Sequence, residues 1–181
     1  MMAAPSALPD VLIFQPTVHK DERGFFFESF NQKNFDDAVG RKARFVQDNH
    51  AHSGKGVLRG LHYQVKQPQG KLIRVLRGEI FDVAVDLRRS SPTFGKWVGV
   101  ALSEENKKQV WVPEGFAHGY LVLSETAAIL YKVTDYYAPE HERVVMWNDP
   151  GVGISWPTEN VPILSAKDRL GLPLAKAEVF A

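Results

Sequence analysis

The sequence predicts an all-β protein, a sandwich or small barrel of short strands, on three observations. Fourteen glycines and eleven prolines punctuate the chain, at intervals of roughly 8–15 residues. The segments between them are short and rich in Val, Ile, Leu, Phe, Tyr and Trp, which suit a pleated, half-buried surface. Clear helical periodicity is confined to one stretch.

In chain order, that stretch comes first: a helix over Asn31–Val39, with Asn31 as N-cap and Phe35, Ala38 and Val39 on one side. Arg44–Asn49 and Val57–Gln64 are strand-like. Strands follow at Lys71–Arg77, Glu79–Leu87, Lys96–Leu102, Lys108–Val112, Ala117–Leu123, Ala127–Val133 and Arg143–Trp147. Arg77-Gly78-Glu79 and Leu123-Ser124-Glu125-Thr126 read as tight connections between antiparallel neighbours. Ser165-Ala166-Lys167-Asp168 has capping-box form and opens a short helical turn. The expected organisation is one domain over 1–181, with an N-terminal extension over 1–10 and an irregular Pro-rich segment from about Asp149.

Composition removes whole classes of function. Apolar residues make up 44% and charged residues 24%, enough to bury a core and too apolar for a disordered chain. Lys plus Arg number 22 against 21 Asp plus Glu, which gives no electrostatic reason to expect a nucleic-acid or membrane-surface binder. The absence of cysteine excludes disulfide scaffolds, zinc–thiolate sites, iron–sulfur clusters and a catalytic thiol. Met1 to Pro9 has neither a basic region nor an apolar run of the secretory kind. The expectation is a soluble cytoplasmic protein.

Alternation then sorts side chains by face. Lys71, Ile73, Val75 and Arg77 share one face, as do His118, Tyr120 and Val122, and Ile129, Tyr131 and Val133; Phe45, Gln47 and Asn49 also line up. Interior faces that carry Lys, His, Tyr, Gln and Asn describe a pocket rather than a packed core alone. A lone His in a strand, such as His62, is ordinarily a structural group. The company of Arg59, Lys71, His118 and Tyr131 on the same sheets points instead to chemistry. One difficulty stands: strict alternation puts Arg59 and His62 on opposite faces, so both reach a ligand only if Gly60 permits a bulge. Asp168 reads either as a cap opposite Ser165 or as a functional carboxylate, and Tyr131 either as a core tyrosine or as a site group. Asp21-Glu22-Arg23-Gly24 reads as a solvated turn or as a phosphate-binding Arg beside aromatics.

Pro113-Glu114-Gly115-Phe116-Ala117-His118 resembles the second cupin motif, whose His usually binds metal. The first motif needs His-x-His and a following Glu, where this chain has His62-Tyr63-Gln64, then Lys66 and Lys71. A cation where a ligand carboxylate belongs argues against a divalent ion, although His50, His52, His62 and His118 offer nitrogens. No metal is expected.

Taken together, Asp21-Glu22-Arg23-Gly24, Phe45 to His50, Leu58 to Gln64, Gly70-Lys71-Leu72, Gly78 to Arg88, Pro113 to Gly119 and Ser165 to Asp168 resemble the dTDP-4-dehydrorhamnose 3,5-epimerase family. The resemblance runs from about Asp21 to Leu172. It implies a cupin-type jelly roll (a double-stranded β-helix), a homodimer, and action without metal or organic cofactor on a dTDP-linked 4-keto-6-deoxy sugar. It implies His62 as the proton-abstracting base, Asp168 as its carboxylate partner, Tyr131 as the acid and Lys71 as the cation beside the keto oxygen, with His118 also at the sugar. Arg23, Glu28, Gln47, Asp48, Asn49, Arg59, Glu142 and Lys167 match positions that hold nucleotide and pyrophosphate, some of them across the dimer interface. Phe26 and Tyr137 are candidate rings for thymine.

The residue types suit that chemistry. Carbons 3 and 5 flank the carbon 4 ketone, so epimerisation removes a proton from one face, holds the enolate and returns a proton to the other. A His oriented by a carboxylate serves as base. An ammonium at the enolate oxygen is worth about 3–4 kcal/mol. The competing expectations are a mono-epimerase or keto-isomerase on a related sugar, a metal-dependent cupin oxygenase, and a non-catalytic sugar-binding module.

Overall fold

The computed structural model describes residues 2–181; Met1, the first residue of the expected N-terminal extension, lies outside the described residues. The chain begins with β1 (Met2–Pro5), β2 (Leu12–Gln15), β3 (His19–Asp21), β4 (Gly24–Phe26) and helix α1 (Gln32–Val39). Then come β5 (Gln47–Gly54), β6 (Leu58–Gln64), β7 (Lys71–Arg77), β8 (Glu79–Asp86) and β9 (Trp97–Ser103). It closes with β10 (Gln109–Val112), β11 (Phe116–Val122), β12 (Thr126–Val133), β13 (Glu142–Val144) and α2 (Ala166–Arg169). Apart from β3 and β4, which pair only with each other, these strands form an antiparallel six-stranded sheet, β1-β2-β10-β7-β12-β5, and an antiparallel five-stranded sheet, β13-β6-β11-β8-β9. This is the expected jelly roll.

The alternation that predicted the faces builds the core. Ile73 and Val75 of β7, Ile80 and Ala84 of β8, Val122 of β11 and Ile129 of β12 meet between the sheets. The outer face of the five-stranded sheet, with Leu61, Tyr63, Val83 and Val85, is covered by the C-terminal segment through Ile154, Trp156, Leu174 and Phe180. On the outer face of the six-stranded sheet, Phe35 of α1 packs with Phe14, Leu72 and Trp111. Helix α1 starts where Asn31 Oδ1 accepts the Asn34 N–H at 3.1 Å and ends at Gly40 in the left-handed region. Ala38, expected beside Phe35, is exposed.

Two of the expected connections are of a different kind. Arg77-Gly78-Glu79 and Leu123–Thr126 are not hairpins, because β7 draws its ladder from β10 and β12 while β8 draws its own from β9 and β11. Each turn hands the chain from one sheet to the other, and the two corners pack together. The Glu79 N–H donates to Ser124 Oγ at 2.8 Å, and a Cβ on Gly78 (φ 79) would lie 2.1 Å from the Thr126 carbonyl. A short turn between apolar runs has the same sequence pattern in a hairpin and at a sandwich corner.

Two strand ends also move. Arg143–Trp147 becomes β13, because hydrogen bonding to β6 ends at the Val145–Leu61 pair and Trp147 enters a turn. Arg44–Asn49 starts only at Gln47, because Phe45 turns away into a cluster with Phe30, Phe35 and Trp111. At the N-terminus, the segment expected as an extension contains β1, which pairs with β2, and buries Leu8 against the core.

Candidate active site

The site begins with a backbone irregularity in β6. The register between β11 and β6 shifts between His118 and Tyr120. Gly60 lies opposite, at φ 140, where a Cβ would sit 2.6 Å from the Cα of Gly119. Two facing glycines let the strands approach, and the bulge brings Arg59 and His62 onto one cavity of about 350 Å³.

His62 comes from the five-stranded sheet, and its Nε2 hydrogen-bonds Asp168 Oδ1 at 2.5 Å. Asp168 is buried on the first turn of α2. Its N–H donates to Ser165 Oγ at 3.1 Å while its Oδ2 accepts the Ser165 hydroxyl at 2.8 Å. Asp168 is therefore engaged in the cap and bonded to the imidazole at the same time: the cap fixes the carboxylate, and the carboxylate fixes the imidazole. Burial pushes the Asp168 pKa up, but hydrogen bonds from His62 and Ser165 outweigh it and leave the group below its usual range. An ionised Asp168 accepts the Nε2 hydrogen, so in the neutral ring the lone pair is on Nδ1, which lies 4.0 Å from Glu142 Oε1.

The opposing wall comes from the six-stranded sheet. Tyr131 of β12 pairs with Ile73 of β7, two residues from Lys71, so both side chains share the inward face. Burial raises the Tyr131 pKa, with Arg59 opposing, and keeps the phenol protonated at neutral pH. Lys71 is buried, and its ammonium has only a 3.4 Å bond to the Gln69 carbonyl. Burial brings its pKa down to about 8, against the pull of Glu114, Glu142 and Asp82. A buried ammonium so thinly partnered is ready for an oxyanion. His118, in register with His62, is held by buried Asp82 at 2.9 Å.

Polar groups crowd the rim. Glu142 accepts from Lys167 Nζ at 2.8 Å and from the Tyr137 hydroxyl at 2.9 Å. Gln47 donates to Asn49 Oδ1 at 2.8 Å, and Arg59 Nε donates to Ser53 Oγ at 3.1 Å. Arg59, Lys71 and Lys167 face the cavity with Glu142, a balance that suits a diphosphate. A divalent ion does not fit. His62 and His118 are already bonded to carboxylates, the next basic group is an ammonium, and among the described residues no three His, Cys, Asp or Glu side chains group as metal ligands.

Three of the expected contacts are not brought to this cavity. Arg23 sits in the exposed β3–β4 turn, paired with Asp21, because that hairpin projects from the fold. Glu28 accepts from Asn31 and Asn34 at the start of α1. Asp48 falls on the opposite face of β5 from Gln47 and Asn49 and pairs with Lys132 at 3.0 Å, as strand alternation requires. Phe26 is exposed on β4, which leaves Tyr137 as the candidate ring at this rim. Asp82, Gln69 and Tyr120 belong to the site but were not singled out from the sequence as site groups. Asp82 had a signal, a lone acid inside the apolar run Ile80–Val85.

Comparison with known proteins gives the family. The family profile for dTDP-4-dehydrorhamnose 3,5-epimerase matches residues 5–176. The chain belongs to this family. The dTDP-4-dehydrorhamnose 3,5-epimerase of Pseudomonas aeruginosa is 61% identical over 180 residues, 99% of each chain. That of Shigella flexneri is 59% identical over 181 residues, again 99% of each. Among solved structures, the dTDP-6-deoxy-D-glucose-3,5-epimerase of Legionella pneumophila, in complex with dTDP-4-keto-L-rhamnose, superimposes with a TM-score of 0.95 at 51% identity. The alignment covers 98% of this chain and 94% of that one.

Asp168 does not line the cavity itself and meets it only by holding the His62 imidazole. Asp168→Ala should therefore slow turnover about 100-fold, as loss of an orienting carboxylate does, with a smaller effect than replacing His62. Steady-state rates beside a melting curve check this: unchanged turnover with a lowered Tm would reduce Asp168 to its capping role.

Proposed function

We propose that this chain inverts carbons 3 and 5 of dTDP-4-dehydro-6-deoxy-D-glucose to give dTDP-4-dehydro-L-rhamnose. The observation that carries the reading is the opposition of His62, backed by Asp168, on one sheet to Tyr131 on the other, with the buried Lys71 ammonium on the Tyr131 side. His62 takes the proton from a carbon beside the ketone, and the electron pair moves onto the carbon 4 oxygen as an enolate. Lys71 holds that oxyanion. The Tyr131 phenol then delivers a proton to the other face, and the same cycle at the second carbon completes the double inversion. Tyr131 and His62 exchange their protons with solvent, so nothing is oxidised or consumed.

Arg59 and Lys167 suit the pyrophosphate, Gln47 and Asn49 the sugar–nucleotide end, and Tyr137 the base. Arg23 and Glu28, on the projecting hairpin and the loop after it, fit a homodimer in which one chain reaches the other's cavity. No helix of the described residues is long and apolar enough to cross a membrane, and a dTDP-sugar substrate fits a cytoplasmic enzyme.

Turnover in deuterated water tests the reading. Label is expected at both carbons 3 and 5 of an L-configured product. Label and inversion at one carbon only would make the chain a mono-epimerase. In addition, kcat/KM should bend downward near pH 8, because the Lys71 ammonium of the free enzyme is lost as pH rises through its value of about 8. Above that point the fall is about tenfold per pH unit. A pH–rate profile flat to pH 10 would remove Lys71 from the rate-determining charge.

A further inference from the structure

The segment that ends in His118 carries one residue the proposed mechanism does not use. Glu114 lies behind the cavity rather than in it, with its side chain 26% exposed. Its Oε2 accepts from Arg41, and its Oε1 accepts the Thr134 hydroxyl at 2.7 Å. Thr134 Oγ1 in turn accepts the Gly70 N–H at 2.8 Å, and the Thr134 N–H donates to the Gly70 carbonyl at 3.1 Å. Gly70 immediately precedes Lys71. A Cβ at that position would lie 2.2 Å from the Trp111 ring and 3.0 Å from Glu114 Oε1. The backbone that carries Lys71 into the cavity is gripped from the far side by Glu114, Thr134 and Trp111.

We propose that Glu114 is a positioning residue for the Lys71 ammonium, fixing the Gly70–Lys71 backbone through Thr134 and placing a carboxylate behind it. The proposal rests on the reading of Lys71 as the group that holds the enolate.

The charge environment supports it. Desolvation is the largest influence on Lys71 and works against its ammonium, and Glu114 is the foremost of the three carboxylates that oppose it, ahead of Glu142 and Asp82. Glu142 on β13 is engaged with Lys167 and Tyr137, and Asp82 on β8 with His118. From the other walls of the cavity, Arg59 of β6 and Lys167 of α2 add positive charge, and His62, His118, Tyr63, Tyr120, Tyr131 and Tyr137 are the remaining titratable groups. Asp168 stands behind His62.

Glu114→Gln keeps the size and an oxygen for the Thr134 hydroxyl while removing the charge. It also leaves the Arg41 cation uncompensated, which acts in the same direction. The alkaline limb of kcat/KM should then move to lower pH. At about pH 8.5 the variant is expected to fall about threefold or more below wild type, while at about pH 6.5 it stays within about twofold. Thr134→Val cuts the hydrogen-bond chain without changing charge, and should lower kcat several-fold at every pH with the limb in place. A Glu114→Gln enzyme whose pH profile superimposes on the wild type overturns the proposal. If that variant fails to fold, Thr134→Val decides, and full kcat at every pH overturns it. Lys71→Gln separates the two levels: retained solvent exchange in that variant would overturn the reading of Lys71 itself, whatever Glu114 does.

Discussion

His62→Asn is expected to abolish deuterium incorporation at both carbons 3 and 5, a loss of about a thousandfold or more, while dTDP binds nearly as before. The imidazole is held at Nε2 by a buried carboxylate, Asp168 at 2.5 Å, and its other nitrogen lies 4.0 Å from Glu142 Oε1 on the cavity lining. Asn keeps a polar side chain but ends about where Nδ1 lies, short of the Nε2 that bonds Asp168, and it has no basic nitrogen. Abstraction precedes both inversions, so both labels should vanish together. The groups proposed to hold the nucleotide, Arg59, Lys167, Gln47 and Asn49, lie on other positions of the cavity wall, so affinity should survive. Exchange by mass spectrometry beside a dTDP titration separates the two effects. Label appearing at close to the wild-type rate would remove His62 as the base.

The route to His62 from sequence shows what the amino-acid pattern encodes and what it does not. Period-two alternation placed Lys71, His118, Tyr131, Gln47 and Asn49 on inward faces, and the structure puts all five on one cavity. Alternation alone would have separated Arg59 from His62, and Gly60 with Gly119 opposite resolved that conflict, because only residues without Cβ allow the close approach. The strands themselves were legible to within one residue over β7 to β12, where apolar alternation is continuous. What failed was long-range. Whether Gly78 and Ser124 make hairpins or corners depends on which strand each neighbour hydrogen-bonds, and no local pattern carries that. Short exposed β3 and β4 had no buried face to announce them. Asp82 was hidden in an apolar strand, its meaning fixed only once His118 lay beside it.

Tyr131→Phe should split the reaction into two parts that wild-type turnover keeps together. The ring packs against the core between the sheets while its side chain also lines the cavity, so removing one oxygen leaves the packing and the stability close to unchanged. His62, on the opposite sheet, still takes the substrate proton, and Lys71 still holds the oxyanion. The enolate forms, and His62 returns a solvent-derived proton to the face from which it took one, restoring the original configuration with label. Delivery to the other face is what the phenol supplies, and burial keeps that phenol protonated at working pH. The expected result is measurable deuterium exchange with little or no doubly inverted product, the defect being most severe at carbon 5. A bulk loss of both exchange and inversion would instead mean that the hydroxyl helps to form the enolate. A variant that still makes the L-sugar at close to the wild-type rate would assign the acid to water or to a neighbouring group. Tyr120 is the first to test in that case, because its buried side chain lines the same cavity.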